Sequence, residues 1–313
     1  MEEILFLTST MHEKIWGGSR LKSEFGYDIP SDKTGEYWAI SAHEKGVSII
    51  ANGTFKGYKL DELYVGHKEL FGENQYDKFP LLIKIIDANN WLSVQVHPDD
   101  AYALNNENEF GKTECWYILS ADENAEIIYG HHAKSKEELC QLIEDKAWNK
   151  LFRRVKVNAG DFFYVPSGTM HAIGPGIMIL EIQQSSDITY RIYDFERIND
   201  KGTQRELHIQ QALEVLAIGT PQNTLHDTIC DNGLEQTLLV SNEFFTVYKW
   251  KVQGRVVFNQ FAPYLLVSVI SGNGSLLTRD CCYSLFKGQH FIIPNNVLSW
   301  SIDGNIEMIV NHV

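Results

Sequence analysis

Two imidazoles, an amide and a carboxylate are the residues of this chain that are best suited to bind a metal ion. Gln95 and His97 lie two positions apart in an extended apolar stretch, so their side chains are expected on the same face of a strand. Glu114 opens a second apolar stretch, and His171 opens a third. Imidazole and carboxylate ligands without a thiolate suit a catalytic Zn²⁺ ion with an open coordination position. We predict one zinc ion per chain, bound by these four residues.

The sequence around His171 predicts a strand, a tight turn and a second strand over residues 160–171. Pro166 fixes φ and Gly168 permits a positive φ, as a tight turn requires. The spacing Gly-x5-Pro-x-Gly-x2-His resembles the second conserved motif of cupins, which are small double-stranded β-barrels that hold a metal ion inside. The first cupin motif is stretched here, because a polar insert at 105–109 separates His97 from Glu114.

Composition indicates a β-rich globular protein. The chain has 313 residues, of which 44% are hydrophobic and 22% charged, which is ordinary for a globular chain that folds without disulfides. The five cysteines are odd in number and show no Cys-x-x-Cys spacing. This usage predicts reduced thiols and a cytoplasmic location.

Charge and hydropathy exclude two classes of partner. The formal net charge of −14 argues against nucleic-acid binding. The N-terminus lacks the basic flank of a signal peptide, and no apolar stretch reaches the roughly 18 residues of a membrane span. No pattern indicates a particular oligomeric state. An acidic chain that binds a phosphorylated substrate requires a local basic pocket.

Three helices and a linker are predicted between the strand-like stretches. A short helix is expected from Asp61 to a stop at Gly72. A second, with Ser135 and Glu138 as a capping box, carries an apolar stripe as far as Leu151. A third covers residues 207–217 and is followed by a linker at 219–224.

The chain contains an internal repeat. Residues 288–299 match residues 160–171 in register, with Pro294 at the position of Pro166. Asn296 replaces Gly168 and is expected to keep the left-handed turn conformation, whereas Ser299 stands in place of His171. We predict a mainly β protein with two cupin-type barrels and a few helices. Residues 1–220 form the catalytic domain, and residues 235–313 form a second, structural domain without metal ligands.

These motifs together resemble the short bacterial form of the type I phosphomannose isomerase family. The resemblance extends over most of residues 1–200 and rests on the following stretches: 79–84 (FPLLIK), 92–99 (LSVQVHPD), 112–114 (KTE), 165–172 (VPSGTMHA), Leu180-Glu181, and Ser186-Asp187 through Arg191. The Ser-Val-Gln-Val-His-Pro segment is the most specific of these. The family's second cupin domain agrees with the repeat.

The resemblance implies a zinc-dependent enzyme that interconverts mannose 6-phosphate and fructose 6-phosphate through an enediol. It implies His97, Glu114 and His171 as zinc ligands, with Gln95 as the fourth ligand that long-form members use. The family's catalytic arginine corresponds to Arg191, and its catalytic lysine corresponds to Lys112. Long-form members carry a histidine just before that lysine. This chain has glycine there, and it lacks their large helical insertion.

The chemistry of such an isomerase calls for a base that reaches two neighbouring carbons and for a cation that neutralises charge. Lys112, Glu181 and Asp187 are the candidate bases, and Arg191 suits enediolate stabilisation or phosphate binding. Asp187 and Arg191 are four residues apart, so a salt bridge between them is the plainer alternative. Lys84 lies within an apolar stretch. It is either a snorkelling surface residue or a barrel-interior lysine that helps to hold the phosphate. We predict Lys84, Glu181 and Asp187 as substrate-binding residues.

Three other functions remain open from the residues alone. Another metal cupin, such as a dioxygenase, requires a redox metal, and Gln95 and Lys112 argue against it. A non-catalytic sugar-binding cupin is disfavoured by the intact ligand set. A different aldose phosphate is the third alternative, since the preference among sugar phosphates rests on the resemblance.

Overall fold

The computed structural model describes residues 2–72, 76–198, 202–219, 221 and 227–313. The predicted linker at 219–224 lies mostly outside these ranges. β-Strands dominate the described residues, and this confirms the prediction of a mainly β fold. The strands are β1 (Leu5–Thr8), β2 (Met11–Gly18), β3 (Thr34–Ile40), β4 (Ile49–Ile50), β5 (Leu81–Ala88), β6 (Val94–Val96), β7 (Glu114–Ala121), β8 (Glu126–His131), β9 (Phe152–Lys156), β10 (Phe162–Val165), β11 (His171–Ile173), β12 (Ile177–Gln184), β13 (Tyr190–Tyr193), β14 (Asp227–Asp231), β15 (Leu234–Ser241), β16 (Thr246–Asn259), β17 (Leu265–Leu277), β18 (Cys282–Phe286), β19 (His290–Ile293) and β20 (Ser299–His312).

Short helices connect the strands. They are α1 (Arg20–Phe25), α2 (Leu60–Gly66), α3 (Asp100–Glu107), α4 (Lys136–Glu144), α5 (Trp148–Leu151) and α6 (Ile209–Val215), with a 3-10 helix at Lys68–Phe71. Ser135 caps α4 as predicted, because its side chain accepts the Glu138 amide at 3.2 Å. The continuous helix expected as far as Leu151 is wrong. Lys146 adopts a φ of 52° and breaks the helix into α4 and α5.

The polar insert at 105–109 is in part a helix that the sequence analysis did not predict. Asp99 is the N-cap of α3, since its Oδ1 accepts the Tyr102 amide at 2.8 Å. The helix ends at Asn108, which adopts the left-handed conformation. α3 therefore lies in the chain segment that connects His97 to Glu114.

Two antiparallel sheets carry the predicted site. One has the strand order β10-β7-β12-β5-β3-β2, and the other has the order β13-β6-β11-β8-β9. They share a hydrophobic core to which β7 contributes Trp116 and Ile118, β12 contributes Ile179, and β11 contributes Ile173. The polar residues of the site lie on these same inward faces.

Strand β5 of the six-stranded sheet is buried on both faces. Ile83 and Ile85 of β5 point away from the site into a second core, which also holds Leu266 and Ile309 of the C-terminal sheet. Lys84 points the other way and is 3% exposed. The snorkelling alternative for Lys84 is therefore wrong, because β5 has no half-exposed face.

The C-terminal sheet contains β14 to β20 and also recruits the start of the chain. β1 pairs with β19, placing Leu5 opposite Ile292, and β1 also pairs with β4. The first strand thus belongs to the sheet of the second half. The division into two barrels, at 1–220 and 235–313, stays a prediction.

The internal repeat is visible in the backbone, with one difference. Gly160 and Gly288 have φ angles of 93° and 89°. Each turn closes with a hydrogen bond to its proline, from Thr169 N at 3.2 Å and from Val297 N at 3.0 Å. Gly168 has a φ of 82°, but Asn296 is not among the residues with positive φ. The expectation of a left-handed Asn296 is wrong, because the second turn keeps the closure without a positive φ at this position.

None of the helices in the described ranges has the length and apolarity that crossing a membrane requires.

Candidate functional site

Three predicted ligands converge between the two sheets. Glu114 begins β7, His171 begins β11, and His97 directly follows β6. Glu114 Oε2 lies 3.6 Å from His97 Nε2, and Glu114 Oε1 lies 3.5 Å from His171 Nε2. All three side chains are buried, and one ligand atom from each lies within 4.8 Å of the others. No other group of three histidine, cysteine or acidic residues in the described ranges is arranged in this way.

Hydrogen bonding and burial prepare both imidazoles for a metal ion. The Thr169 carbonyl accepts from His171 Nδ1 at 2.9 Å, so His171 Nε2 keeps its lone pair toward Glu114. Burial lowers the pKa of His171 to about 4. Burial, and next the charge of Lys112, also lower the pKa of His97. Both rings are therefore neutral at physiological pH, and a neutral ring is the form that binds a metal.

The polar turn between β10 and β11 is tied to the first ligand. The amide of Gly168 donates to the carbonyl of His97 at 2.9 Å. Gly168 can approach closely because it has no Cβ; an added one would lie 3.0 Å from the Val215 carbonyl oxygen. The two motifs that are distant in sequence are thus joined through the backbone.

Gln95 lies next to the ligand group, with its amide nitrogen rather than its oxygen facing His171. Its Nε2 is 3.4 Å from His171 Nε2, and its Oε1 accepts from Ser93 Oγ at 3.2 Å. A metal ligand must present the oxygen, which requires the amide to turn over. The prediction that Gln95 is the fourth ligand stays a prediction.

Lys112 contacts two of the three ligands. Its Nζ lies 3.0 Å from Glu114 Oε2 and 3.2 Å from His97 Nε2. Burial by itself lowers the pKa of this lysine, but the carboxylates of Glu114 and Glu181 outweigh burial and raise it. Lys112 is therefore an ammonium group in the protein alone.

Arg191 and Asp187 do not form the salt bridge that was the plainer alternative. Asp187 Oδ2 instead lies 3.0 Å from Lys45 Nζ. The guanidinium of Arg191 donates to Ser93 Oγ at 3.2 Å and to the Glu206 carbonyl at 2.9 Å. Because Ser93 also contacts Gln95, Arg191 is linked to the ligand group by hydrogen bonds.

A row of alternating charges crosses the six-stranded sheet away from Glu114. Trp116 Nε1 donates to Glu114 at 3.0 Å and to Glu181 at 3.2 Å. Lys84 Nζ lies 3.8 Å from Glu181 and 3.9 Å from Glu36. Burial, followed by the charge of Glu114, raises the pKa of Glu181. Glu181 therefore lies between Trp116 and Lys84 in this row.

Glu36 and Lys14 complete the row, and the sequence analysis did not predict either residue. Glu36 accepts from Trp38 Nε1 at 2.7 Å and pairs with Lys14 Nζ at 3.1 Å. Glu36 lies in β3, in which every residue is buried. A charged residue in a fully buried strand was the available signal, and it is the same signal that selected Lys84.

A cavity of about 280 Å³ opens beside the ligand group. Seven of the nine predicted site residues line it. The other two, His97 and Glu114, are not among the lining residues but contact Lys112, which is. The lining residues are Lys14, Trp16, Glu36, Lys84, Ile86, Leu92, Ser93, Gln95, Lys112, Trp116, His171, Ile173, Glu181, Asp187, Thr189, Arg191 and Arg205.

Arg205 is a further lining residue that sequence reasoning missed. It lies in an irregular segment before α6, and its guanidinium binds Asp194 through two hydrogen bonds of 2.8 and 2.5 Å. Arg197 pairs with the same carboxylate. No periodicity marks this segment, so only the tertiary structure places Arg205 at the cavity.

The glycine that replaces the histidine of long-form members has a steric reason. A Cβ on Gly111 would lie 2.5 Å from the backbone nitrogen of Asp100. The amide of Gly111 also donates to Asp100 Oδ1 at 2.7 Å. The chain therefore packs against the start of α3 at a point that admits no side chain.

Comparison with known families covers most of the chain. Residues 4–118 match the catalytic domain of phosphomannose isomerase type I, and residues 235–313 match the cupin domain of mannose-6-phosphate isomerase. The mannose-6-phosphate isomerase of Streptococcus mutans is 62% identical over 312 residues, spanning 100% of this chain and 99% of that protein. The Bacillus subtilis protein ManA, also named mannose-6-phosphate isomerase, is 48% identical over 99% of both chains.

Solved structures agree with these matches. The mannose 6-phosphate isomerase of Bacillus subtilis superposes with a TM-score of 0.97 at 47% identity, over 99% of both chains. A phosphomannose isomerase from Salmonella typhimurium shares only 16% identity but superposes with a TM-score of 0.82 over 99% of both chains. The latter likeness concerns the fold alone. The cupin match at residues 235–313 agrees with the predicted cupin-type fold.

Proposed function

The chain belongs to the type I phosphomannose isomerase family, and we propose that it interconverts mannose 6-phosphate and fructose 6-phosphate as a zinc-dependent isomerase. The observation that carries the proposal is the convergence of His97, Glu114 and His171 beside a cavity that also holds Lys112 and Arg191. The family relationship supports the activity. The geometry supports the assignment of roles.

The residues present fit a zinc ion. Two neutral imidazoles and a carboxylate form the kind of three-ligand set that catalytic zinc sites use. Glu114 Oε2 is buried and lies 3.0 Å from Lys112 Nζ without a hydrogen bond of good geometry, so this oxygen already faces a cation. His97, Glu114 and His171 would hold the ion, with Gln95 as a candidate fourth ligand. When bound, zinc supplies Lewis-acid polarisation of substrate oxygens.

Lys112 is the residue that we assign to proton transfer. Aldose–ketose isomerisation moves a proton between C1 and C2 through an enediol. The transferring group must lie within hydrogen-bond reach of that unit. Lys112 Nζ contacts both Glu114 and His97, and it therefore lies next to any carbon whose oxygens bind at the ligand group. Glu181 and Asp187, which were the other candidate bases, also line the cavity, but Glu181 contacts Trp116 and Lys84, and Asp187 contacts Lys45. We assign them, with Lys84, to the sugar hydroxyls.

The arginine side of the cavity suits the phosphate group. Arg191, Arg197 and Arg205 are three cations near two carboxylates, Asp194 and Glu206, so this side carries surplus positive charge despite the acidic chain. Burial, followed by the charge of Arg205, lowers the pKa of Arg191, and a dianion would relieve that repulsion. Because phosphate anchoring also places C1 and C2, Arg191 is expected to affect kcat as well as KM.

The location and partners follow from the same residues. All five cysteines are free thiols, which agrees with the proposed cytoplasmic location. The partner we propose is a small sugar phosphate, without nucleic acid or membrane.

Exchange of carbon-bound hydrogen tests the assignment of Lys112. Mannose 6-phosphate is incubated in D₂O with wild type, Lys112→Met and Glu181→Gln, and deuterium at C1 and C2 is measured by NMR. We expect Lys112→Met to lower both exchange and turnover by at least about 100-fold, with metal content unchanged. Glu181→Gln is expected to retain exchange. Rapid exchange in Lys112→Met would assign the proton transfer to another group.

A further inference from the structure

The strand that carries Arg191 is an edge strand, and a histidine side chain occupies part of its open edge. β13 ends the five-stranded sheet and pairs on one side with β6. On its open side, the amide of His208 donates to the Arg191 carbonyl at 2.7 Å. The amide of Arg191 donates in return to Nδ1 of the His208 ring at 3.1 Å. An imidazole thus takes the place of the backbone carbonyl that would accept this bond in an antiparallel pair.

The direction of the second bond fixes the state of the ring. A backbone amide can only donate, so His208 Nδ1 must carry a lone pair. The ring is then neutral with its proton on Nε2. A doubly protonated ring would place an N–H against the Arg191 N–H and a second positive charge beside the guanidinium.

The same short segment also fixes the Arg191 side chain. The Glu206 carbonyl accepts from Arg191 Nη1 at 2.9 Å. Arg205, one residue earlier, reaches the cavity while its guanidinium is bound to Asp194. The hold of His208 on the Arg191 backbone therefore keeps two cavity arginines in their positions.

We propose that His208 is a positioning residue for Arg191, and that protonation of its ring releases the 205–208 segment and weakens anion binding in the cavity. The inference rests on the proposed function only in taking the bound anion to be the substrate's phosphate. His208 itself touches no reacting atom and is not a catalytic residue.

The surroundings of His208 favour the neutral ring. Its charged and titratable neighbours are Arg191 and Tyr190 of β13, Glu107 of α3 and Glu206 of its own segment. Burial, and next Arg191, lower the pKa of His208, against an opposing effect of the two glutamates. The group is thus neutral in the folded protein at neutral pH. The contact with Arg191 is lost as pH falls below the ordinary histidine value toward this lowered pKa.

Two replacements of His208 separate its role as a hydrogen-bond acceptor from the protonation of its ring. His208→Asn keeps an oxygen at the position of Nδ1 and does not titrate, whereas His208→Leu removes the acceptor. kcat and KM for mannose 6-phosphate, and the affinity for inorganic phosphate by calorimetry, are measured from about pH 5 to 8. His67→Asn, at a half-buried histidine far from Arg191 in sequence that pairs with Glu69, is the control. Metal content and melting temperature are recorded for each protein.

We expect His208→Asn to match wild type at neutral pH. His208→Leu should lose roughly tenfold in kcat/KM and in phosphate affinity. As pH falls, the phosphate affinity and kcat/KM of wild type should decrease more than those of His208→Asn. The phosphate's own ionisation near pH ~6 affects all variants equally, so the ratio of the two proteins isolates His208.

Two results would overturn the inference. One is a folded His208→Leu protein with wild-type phosphate affinity. The other is a ratio of His208→Asn to wild type that stays flat with pH. If wild type shows no isomerase activity but phosphate binding follows the expected pattern, the proposed function fails while the role of His208 stands.

Discussion

Replacement of Glu36 by glutamine tests the row of alternating charges that lines the cavity. Glutamine keeps an oxygen for Trp38 Nε1 but removes the charge that faces Lys84 and Lys14. Burial alone raises the pKa of Glu36, yet the two lysines hold it at about 2, against an ordinary value of 4.5. Converted at about 1.36 kcal/mol per pK unit, that depression corresponds to about 3 kcal/mol of stability at neutral pH.

The pH dependence of this stabilisation has a defined sign. The folded-state pKa of Glu36 lies below its unfolded value, so the contribution is present above 4.5 and is lost as pH falls toward about 2. We expect Glu36→Gln to lower the free energy of unfolding by about 2–3 kcal/mol near neutral pH. The difference from wild type should shrink by about 2 kcal/mol as pH falls to about 3.

Urea unfolding over this pH range, with Glu62→Gln as control, makes the comparison. Glu62 forms an exposed pair with Lys59 at 3.6 Å, and its replacement should change stability by less than about 1 kcal/mol. Parallel curves for wild type and Glu36→Gln would refute the reasoning. They would mean that the lysines do not depress the Glu36 pKa in the folded protein.

Three further replacements test the site. His171→Ala should lose bound metal, and full occupancy by elemental analysis would refute the ligand assignment. Arg191→Ala should lower kcat/KM by about 100-fold or more with normal metal content, and unchanged turnover would remove Arg191 from the mechanism. Gly111→His should destabilise the protein by about 2 kcal/mol or more, because its Cβ would collide with the backbone of Asp100. A wild-type melting temperature would contradict that packing argument.

The ligand group was predictable because its signals are local. His171 follows a proline–glycine turn whose spacing is fixed by backbone geometry, and Gln95 and His97 share a face through strand alternation. Glu114 was selected as a carboxylate at the start of an apolar stretch, and the family resemblance added the catalytic role of Lys112. In the structure, His97, Glu114, His171 and Lys112 lie together.

The remainder of the site depends on tertiary contacts. Glu36 and Lys14 reach the cavity because β3 lies beside β5, and β2 lies beside β3, in one sheet. No local pattern specifies this strand order. Arg205 lies in a segment without periodicity. His208 was predicted within the third helix, but it precedes α6 and pairs with β13 instead. The cover of the β13 edge by an imidazole has no sequence signature.

A coupled assay of mannose 6-phosphate conversion to fructose 6-phosphate, before and after chelation and with Zn²⁺ added back, tests the central proposal most directly. We predict activity that is lost with the chelator and restored by zinc. His171→Ala should stay inactive after zinc is added. No conversion by the zinc-loaded wild-type protein would contradict the proposed function.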